Sequence, residues 1–314
     1  MSSSILFTRN APSYRMPKVV VRIKGGLGNQ LFCYAAARRL ALANHAQLLI
    51  DDVTGFARDR QYARRYLLDS FQIPCRKATP AERMEPFERY RRALAKLVSR
   101  RRPFYRRRYV AREGMDFDPR LLDFKVAGTV YLDGVWQSEG YFKDVEPTIR
   151  QDLRMRPPND PRNRDTAERI RDCSAVAVHV RWFDPPGRAA QHNVSADYYR
   201  RAVEEIARRV ENPHYFVFSD DPQAACSMLA LSAGRATWID HNHGDQNAWK
   251  DLWLMRQCKH FIIANSTFSW WGAWLTSYVS PMVIAPCAQI DGITMWGFRG
   301  LLPQRWIKIS APGD

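Results

Sequence analysis

Apolar positions along this chain recur in two rhythms. Short, nearly continuous apolar runs lie at residues 19–23, 47–50, 129–132, 175–180, 215–218, 236–239, 261–264 and 282–285. Runs this short, without the polar alternation of a half-exposed strand, fit strands covered on both faces of a parallel sheet. Between them apolar residues return every three or four positions. Residues 29–43 carry Leu31, Tyr34, Ala35, Leu40 and Leu42 on that spacing, and 196–210 and 223–231 read the same way; these are helices. Strand followed by helix, repeated, predicts an α/β chain with doubly wound parallel sheets. The alternation is regular from Ser174 onward and broken in the first half by a basic and then an irregular region. The Pro-rich charged stretch 154–161 is the best linker. It predicts an N-terminal domain at 1–160, holding the Gly-rich loop and the basic helical insertion, and a C-terminal domain at 161–314. No internal repeat is present.

Three strands of the second half run into polar clusters. The first ends in His179 and Arg181 and reaches Asp184; the second ends in Ser219, Asp220 and Asp221; the third in Asn265, Ser266 and Thr267. Ligands of an open parallel sheet bind outside the C-terminal ends of its strands. Asn265, Ser266 and Thr267 can each cap a helix. A helix N-terminus presents free N–H groups and the positive end of the dipole to phosphate. Each cluster also has a plainer reading. Asp220-Asp221-Pro222 is a good helix start, His179 fits a satisfied core histidine, and Trp270, Trp271 and Trp274 fit an ordinary capped core helix. Three clusters at equivalent strand ends suit a nucleoside diphosphate: arginine for phosphate, carboxylate for a guanine ring N–H, helix N-terminus for anionic oxygen.

The first half adds a Gly-rich turn between strand and helix, Lys24-Gly25-Gly26-Leu27-Gly28-Asn29-Gln30-Leu31. It nearly matches the dinucleotide fingerprint, and Asp51 and Asp52 fall near the distance of its ribose-binding acid. Leu31 stands where the third glycine belongs, and no second catalytic set follows, which argues against a nicotinamide-dependent dehydrogenase. A tight β-to-α turn accounts for the glycines but not for Asn29 and Gln30, whose amides can hydrogen-bond a sugar or a phosphate oxygen.

No apolar stretch has the length of a membrane span, and the first 18 residues lack an apolar signal core. The six cysteines are scattered, with no Cys-x-x-Cys pair, as in a reduced cytosolic chain. His241-Asn242-His243 sits in a Gly/Asp-rich stretch that reads as a turn rather than a cation site, so no metal site is expected. The net charge of +16 is concentrated: residues 89–112 hold eleven Lys or Arg and no Asp or Glu. Tyr90, Leu94, Leu97 and Val98 recur there at helical spacing. A basic amphipathic helix suits an anionic membrane surface or nucleic acid, or is simply a solvated helix face. No nucleic-acid module accompanies it, so the expected partner is the membrane, with salt-sensitive peripheral binding at the cytoplasmic side of the inner membrane.

Three blocks carry a resemblance: Gly25-Gly26-Leu27-Gly28-Asn29-Gln30-Leu31-Phe32 with Tyr34-Ala35-Ala36; Leu132-Asp133-Gly134-Val135-Trp136-Gln137-Ser138-Glu139-Gly140-Tyr141-Phe142; and Asn265-Ser266-Thr267-Phe268-Ser269-Trp270-Trp271-Gly272-Ala273-Trp274-Leu275. They resemble the signature blocks of the family 11 glycosyltransferases, the α-1,2-fucosyltransferases of bacteria and animals. Phe218-Ser219-Asp220-Asp221, Val283-Ile284-Ala285-Pro286 and Pro303 with Trp306-Ile307-Lys308-Ile309 fit less sharply. The resemblance runs from about residue 19 to 309.

The resemblance implies inverting transfer of L-fucose from GDP-fucose to a sugar hydroxyl, usually the 2-hydroxyl of a β-galactoside on an oligosaccharide or glycolipid. It implies a GT-B-like pair of Rossmann-like domains, donor binding in the C-terminal one, no metal, and no cofactor besides the donor. Carried over by position, His179 and one of Asp220 and Asp221 lie near the guanosine. Arg181 and the helix entry at Thr267, Phe268 and Ser269 hold the β-phosphate, with Asn265 and Ser266 as further substrate-binding residues. Asn29 closes on the phosphate or the fucose from the other domain, in a loop shaped by Gly26, Gly28 and Gln30. Asp184 is the base candidate; its other role is to hold Arg181 in place. One departure matters: the family's His-x-Arg-Arg-x-Asp is here His179-Val180-Arg181-Trp182-Phe183-Asp184, followed by Pro185-Pro186-Gly187. Phosphate neutralisation then rests on Arg181, alone or shared with Arg188, and acceptor preference or linkage can differ. Cys287-Ala288-Gln289 also departs, where the family tends to have basic and aromatic residues. A nucleotide-sugar-binding protein at the membrane surface, non-catalytic or differently specific, is the alternative reading.

Overall fold

The first apolar run becomes a strand at the centre of a sheet, and the residues around it show why. In β1 (Lys18–Arg22), Val19 and Val21 turn to one face and Val20 to the other, and all three are buried. A computed structural model describes residues 16–60, 62–185, 192–287 and 296–310. After β1 come α1 (Leu27–Ala43), β2 (Gln47–Asp51), the two-residue β3 (Arg76–Lys77), α2 (Glu88–Arg100), β4 (Tyr109–Ala111) and β5 (Thr129–Asp133). The five strands form one parallel sheet in the order β3-β2-β1-β5-β4.

α3 (Glu146–Asp152) and α4 (Pro161–Arg171) lead to the second sheet. Its elements are β6 (Ser174–Val180), α5 (Ala196–Arg209), β7 (Pro213–Ser219), α6 (Pro222–Leu229), β8 (Ala236–Ile239), α7 (Ala248–Met255), β9 (His260–Ile262), α8 (Thr267–Trp274), β10 (Val283–Cys287) and β11 (Ile307–Ser310). The order is β11-β10-β9-β6-β7-β8, again parallel. Read from β6, this is the doubly wound dinucleotide-type order, and the direction of winding reverses between β6 and β9. The two lobes share one core: β1 and α1 bury their apolar faces in the same cluster as Ala175, Ala177, Phe216 and the α8 indoles. Segment 154–160 connects α3 to α4, and the 296–306 segment returns to the first lobe, where Phe117 N–H donates to the Arg299 carbonyl at 2.9 Å.

The expected strands and helices are present with ends shifted by one or two residues, and the differences have local causes. α1 starts at Leu27, not Asn29, because Gly26 in extended conformation serves as its N-cap; Asn29 therefore lies inside the first turn. α6 stops at Leu229 because Ala230 turns left-handed, with φ 46°. The basic region is not one helix. α2 ends at Arg100, Pro103 follows, and Tyr109–Ala111 is an edge strand paired to β5. Strands β3, β4 and β11 were not expected from the pattern. Among the described residues no helix is long and apolar enough to cross a membrane.

Candidate active site

Alternation along β6 sorts its side chains between two surroundings. Val176, Val178 and Val180 pack with Tyr198, Tyr199 and Ile206 of α5, and Trp182 joins that cluster. Ala175 and Ala177 face the core shared with the first lobe, and His179 follows them, its ring 5.5 Å from that of Phe268 in α8. The tryptophan standing where the family has a second arginine is thus a packing residue on the α5 side.

Register brings the strand ends together. β6 pairs with β7 at Val180↔Ser219, so Arg181 and Asp220 stand next to each other. Arg181 Nη1 donates to Asp220 Oδ2 at 2.6 Å, and the Trp182 N–H donates to Oδ1 at 3.1 Å. On the other side β6 pairs with β9 at Val178↔Ile262; the same register carried three residues further sets Arg181 abreast of Asn265. The guanidinium is thus fixed by a charge-assisted bond at the point where the winding reverses. His179 is buried here. Burial, with Arg181 adding to it, pushes its pKa down to about 3, so the imidazole is neutral. Its Nδ1 and the Oδ1 of Asn265 are buried without a hydrogen-bond partner among the described residues.

α8 points its N-terminus at the same place. Ser266 Oγ accepts the Phe268 N–H at 3.3 Å, and the Ser269 hydroxyl donates to the Ser266 carbonyl at 3.2 Å. Behind this cap the indoles pack on the first lobe, with Phe32 of α1 4.6 Å from Trp270 and 5.0 Å from Trp271 between ring centroids. At the other end Arg150 donates to the carbonyls of Trp274 and Thr276 at 2.6 and 3.1 Å, a cation on the negative end of the dipole.

α1 brings a second helix N-terminus against the first. Gly25, at φ 77°, turns the chain, and Gly26 caps α1 without a side-chain bond. The first-turn N–H groups therefore have no helical partner. Gly28 touches α8 so closely that a Cβ there would lie 2.5 Å from the Thr267 carbonyl oxygen and 2.6 Å from the Phe268 nitrogen. Asn29 Oδ1 accepts from the Thr267 hydroxyl and from Gln137 Nε2, both at 3.1 Å. Two positive helix ends at this range repel each other, and an anion between them relieves the repulsion.

Some expected site residues have other work. Gln30 is fully buried: its Nε2 donates to the Gly25 and Arg65 carbonyls, each at 2.9 Å, and its Oε1 accepts the Leu67 N–H at 2.9 Å. It shapes the glycine turn from behind instead of facing a sugar. Asp221 caps α6, accepting the Ala224 N–H at 2.9 Å. Asp184 accepts the His192 backbone N–H at 2.9 Å, and both its oxygens lie 3.1 Å from His192 Nδ1. The carbonyl of His192 in turn accepts from Asn265 Nδ2 at 2.9 Å. Asn193 Oδ1 accepts the N–H groups of Phe183 and Asp184 at 2.7 and 3.0 Å. His241 is taken by Asn163, 3.1 Å away. Pro186, Gly187, Arg188, Ala288 and Gln289 lie outside the described residues. The residues that sequence reasoning missed are Gln137, His192 and Asn193. Gln137 lay in a recognised block with no chemistry assigned to it. The His-Asn pair just before the Ser195 cap of α5 was the only signal for the other two.

Two parallel-sheet lobes, with helix N-termini and an arginine gathered where the second sheet reverses its winding, define the α/β glycosyltransferase architecture of the GT-B type. The chain belongs to glycosyl transferase family 11, whose model matches residues 18–294. It is 28% identical over 310 residues to an α-1,2-colitosyltransferase of Escherichia coli, covering 94% of this chain and all of that one. It is 26% identical over 287 residues to the O-antigen biosynthesis glycosyltransferase WbnK of Escherichia coli, covering 84% and 92%. Its fold is similar to the crystal structure of NodZ α-1,6-fucosyltransferase soaked with GDP-fucose, with a TM-score of 0.51, 17% identity, and 83% and 93% of the two chains covered.

Proposed function

We propose that this enzyme moves L-fucose, or its 3-deoxy counterpart colitose, from its GDP-linked donor to a glycan hydroxyl, the 2-hydroxyl of a β-galactoside, with inversion and without a metal. The observation that carries this reading is the meeting of two helix N-termini and Arg181 at one point. When the donor's C1–O bond breaks, negative charge builds on the β-phosphate. Preorganised N–H groups of the first turns of α1 and α8 and the Asp220-anchored guanidinium meet that charge without reorganising. Neutral His179 and the Asn265 amide offer hydrogen bonds to the nucleoside side of the donor. Asn29, tied to both lobes, orients the phosphate or the leaving oxygen. The acceptor oxygen attacks C1 from the opposite face, its proton passes to His192 oriented by Asp184, and the bonding pair leaves with GDP. In this reading Asp184 acts through its neighbour rather than as the base itself.

Colitose stands beside fucose because the colitosyltransferase relative covers nearly the whole chain. The test offers purified enzyme GDP-fucose and GDP-colitose with a panel of β-galactosides, in excess EDTA, and determines the product linkage. A 2-linked product from either donor, formed at full rate in EDTA, is expected. Loss of activity restored by manganese or magnesium would show that the phosphate is neutralised differently. Donor binding without release of GDP, with every acceptor, would support a binding protein in place of a transferase.

A further inference from the structure

The helix α2 is built inside out. An amphipathic helix on a globular protein normally turns its apolar stripe to the core. Here the side facing the first sheet carries Glu88, Arg92, Ala95, Lys96 and Ser99, all buried or half-buried. The opposite side carries Phe87, Tyr90, Leu94 and Leu97, which are 71%, 69%, 62% and 52% exposed. Their spacing of three, four and three residues makes one continuous stripe.

The sheet beneath explains the inversion. The face of β1 opposite α1 has only a small apolar cluster of Val20, Leu49 and Ala78. Beside it lies a cavity whose lining mixes Val20, Met84 and Leu132 with the charged Arg22, Asp51, Arg83, Arg92 and Asp133. Burial works to raise the Asp133 pKa, but Lys24 and Arg22 hold it down at about 2. Over this surface the inward Arg92 stands 3.9 Å from Asp51 and 3.6 Å from Glu88, and Ser99 Oγ accepts the Tyr109 N–H at 3.1 Å. A polar floor selects the polar face of the helix, and the leucines are left outside.

We propose that this outward face of α2 docks the enzyme on an anionic lipid bilayer, the helix lying in the interface with Phe87, Tyr90, Leu94 and Leu97 inserted. A contiguous exposed apolar stripe marks an interaction surface, and the charge around it selects the partner. Arg89, Arg91, Arg100, Arg101, Arg102, Arg106 and Arg108 are exposed. Within residues 89–112 only Arg92 and Arg107 have an ion pair among the described residues. A second copy on this face would bring two such cationic rims together. Nucleic acid would meet the arginines and leave the leucines in water. A bilayer with anionic headgroups satisfies both, as basic amphipathic interfacial helices do. The surface belongs to the first lobe and involves no residue of the donor site, so this inference stands or falls apart from the transfer reaction.

The experiment is co-sedimentation of the full chain with phosphatidylcholine vesicles and with vesicles containing phosphatidylglycerol, at low and high salt. Two variants accompany it: Leu94→Glu with Leu97→Glu, and Arg100→Ser, Arg101→Ser and Arg102→Ser together. All these positions are exposed, and an unchanged thermal melt checks that the variants fold. Wild type should bind only the anionic vesicles and come off at high salt, where charges are screened. Each lost charge is worth about fivefold in binding, less when crowded together; either variant should therefore bind at least tenfold more weakly, with transfer to a soluble acceptor unchanged. Equal recovery in the supernatant with both vesicle types at low salt would overturn the proposal. So would a dimer dissolved by the glutamates, or RNA binding as tight as vesicle binding. Binding that survives the glutamates but not the serines would refute insertion of the stripe.

Discussion

Adding one methyl group at Gly28 tests whether the contact between the two helix ends is functional. In Gly28→Ala the new Cβ would sit 2.5 Å from the Thr267 carbonyl oxygen and 2.6 Å from the Phe268 nitrogen. Ordinary contact begins near 3.4 Å, so the N-termini of α1 and α8 must part by roughly 1 Å. These obstacles are backbone atoms of a helix cap, and no rotamer change removes them. Overpacking of this kind costs about 1–3 kcal/mol. Against it, alanine is better than glycine inside a helix by about 0.5–1 kcal/mol. The net expectation is a modest stability loss of roughly 0.5–2 kcal/mol, small enough to leave the protein folded. The catalytic loss should be larger in proportion, because a misplacement of about 1 Å in an aligned site costs on the order of a hundredfold. The assay is GDP release with donor and acceptor, next to urea unfolding of the same preparation. Gly234→Ala is the control, since nothing lies within 4 Å of a Cβ there. Transfer by Gly28→Ala within about threefold of wild type would refute the idea that the paired helix ends form the phosphate cradle.

Two further outcomes are expected. Arg181→Ala should lower the transfer rate about a thousandfold, roughly 4 kcal/mol, and Arg181→Lys should not restore it, since an ammonium lacks the planar fork; activity within about tenfold of wild type in folded protein would remove Arg181 from the phosphate site. His179, neutral in the fold with its pKa near 3, takes up a proton in the unfolded chain at its ordinary value of about 6.5. The unfolded state then binds more protons between those values, so this residue makes stability fall as pH drops below about 6.5, by up to about 1.4 kcal/mol per unit. Asp251, raised by burial to about 7, has the opposite slope and is common to both proteins. Urea unfolding at pH 7 and pH 5.5 should therefore show His179→Gln losing less stability on acidification than wild type, and parallel profiles would show that His179 is not buried neutral.

The sequence by itself determined the βα alternation, because an apolar run of four to six residues and a 3.6-residue period are local signals that packing only had to accept. It also located the polar ends of the second-half strands: Arg181, Asp220 and the Asn265-Ser266-Thr267 entry are where they were expected, since register in a parallel sheet brings successive strand ends together. What each polar side chain does was decided by tertiary structure. Gln30 and Asn29 are neighbours of similar chemistry, yet one is buried on the Arg65 and Leu67 backbone and the other bridges to Thr267. Only the direction in which α1 presents them separates the two. Asp184 meets His192, eight residues on, a pairing that no spacing announces. Strand alternation turns Trp182 toward α5. The basic helix was legible as amphipathic, but not which side faced in; that depended on Asp51, Tyr109 and Asp133, brought beneath it from three strands. Local periodicity specifies that a helix has two faces, and only the surface it lands on can choose between them.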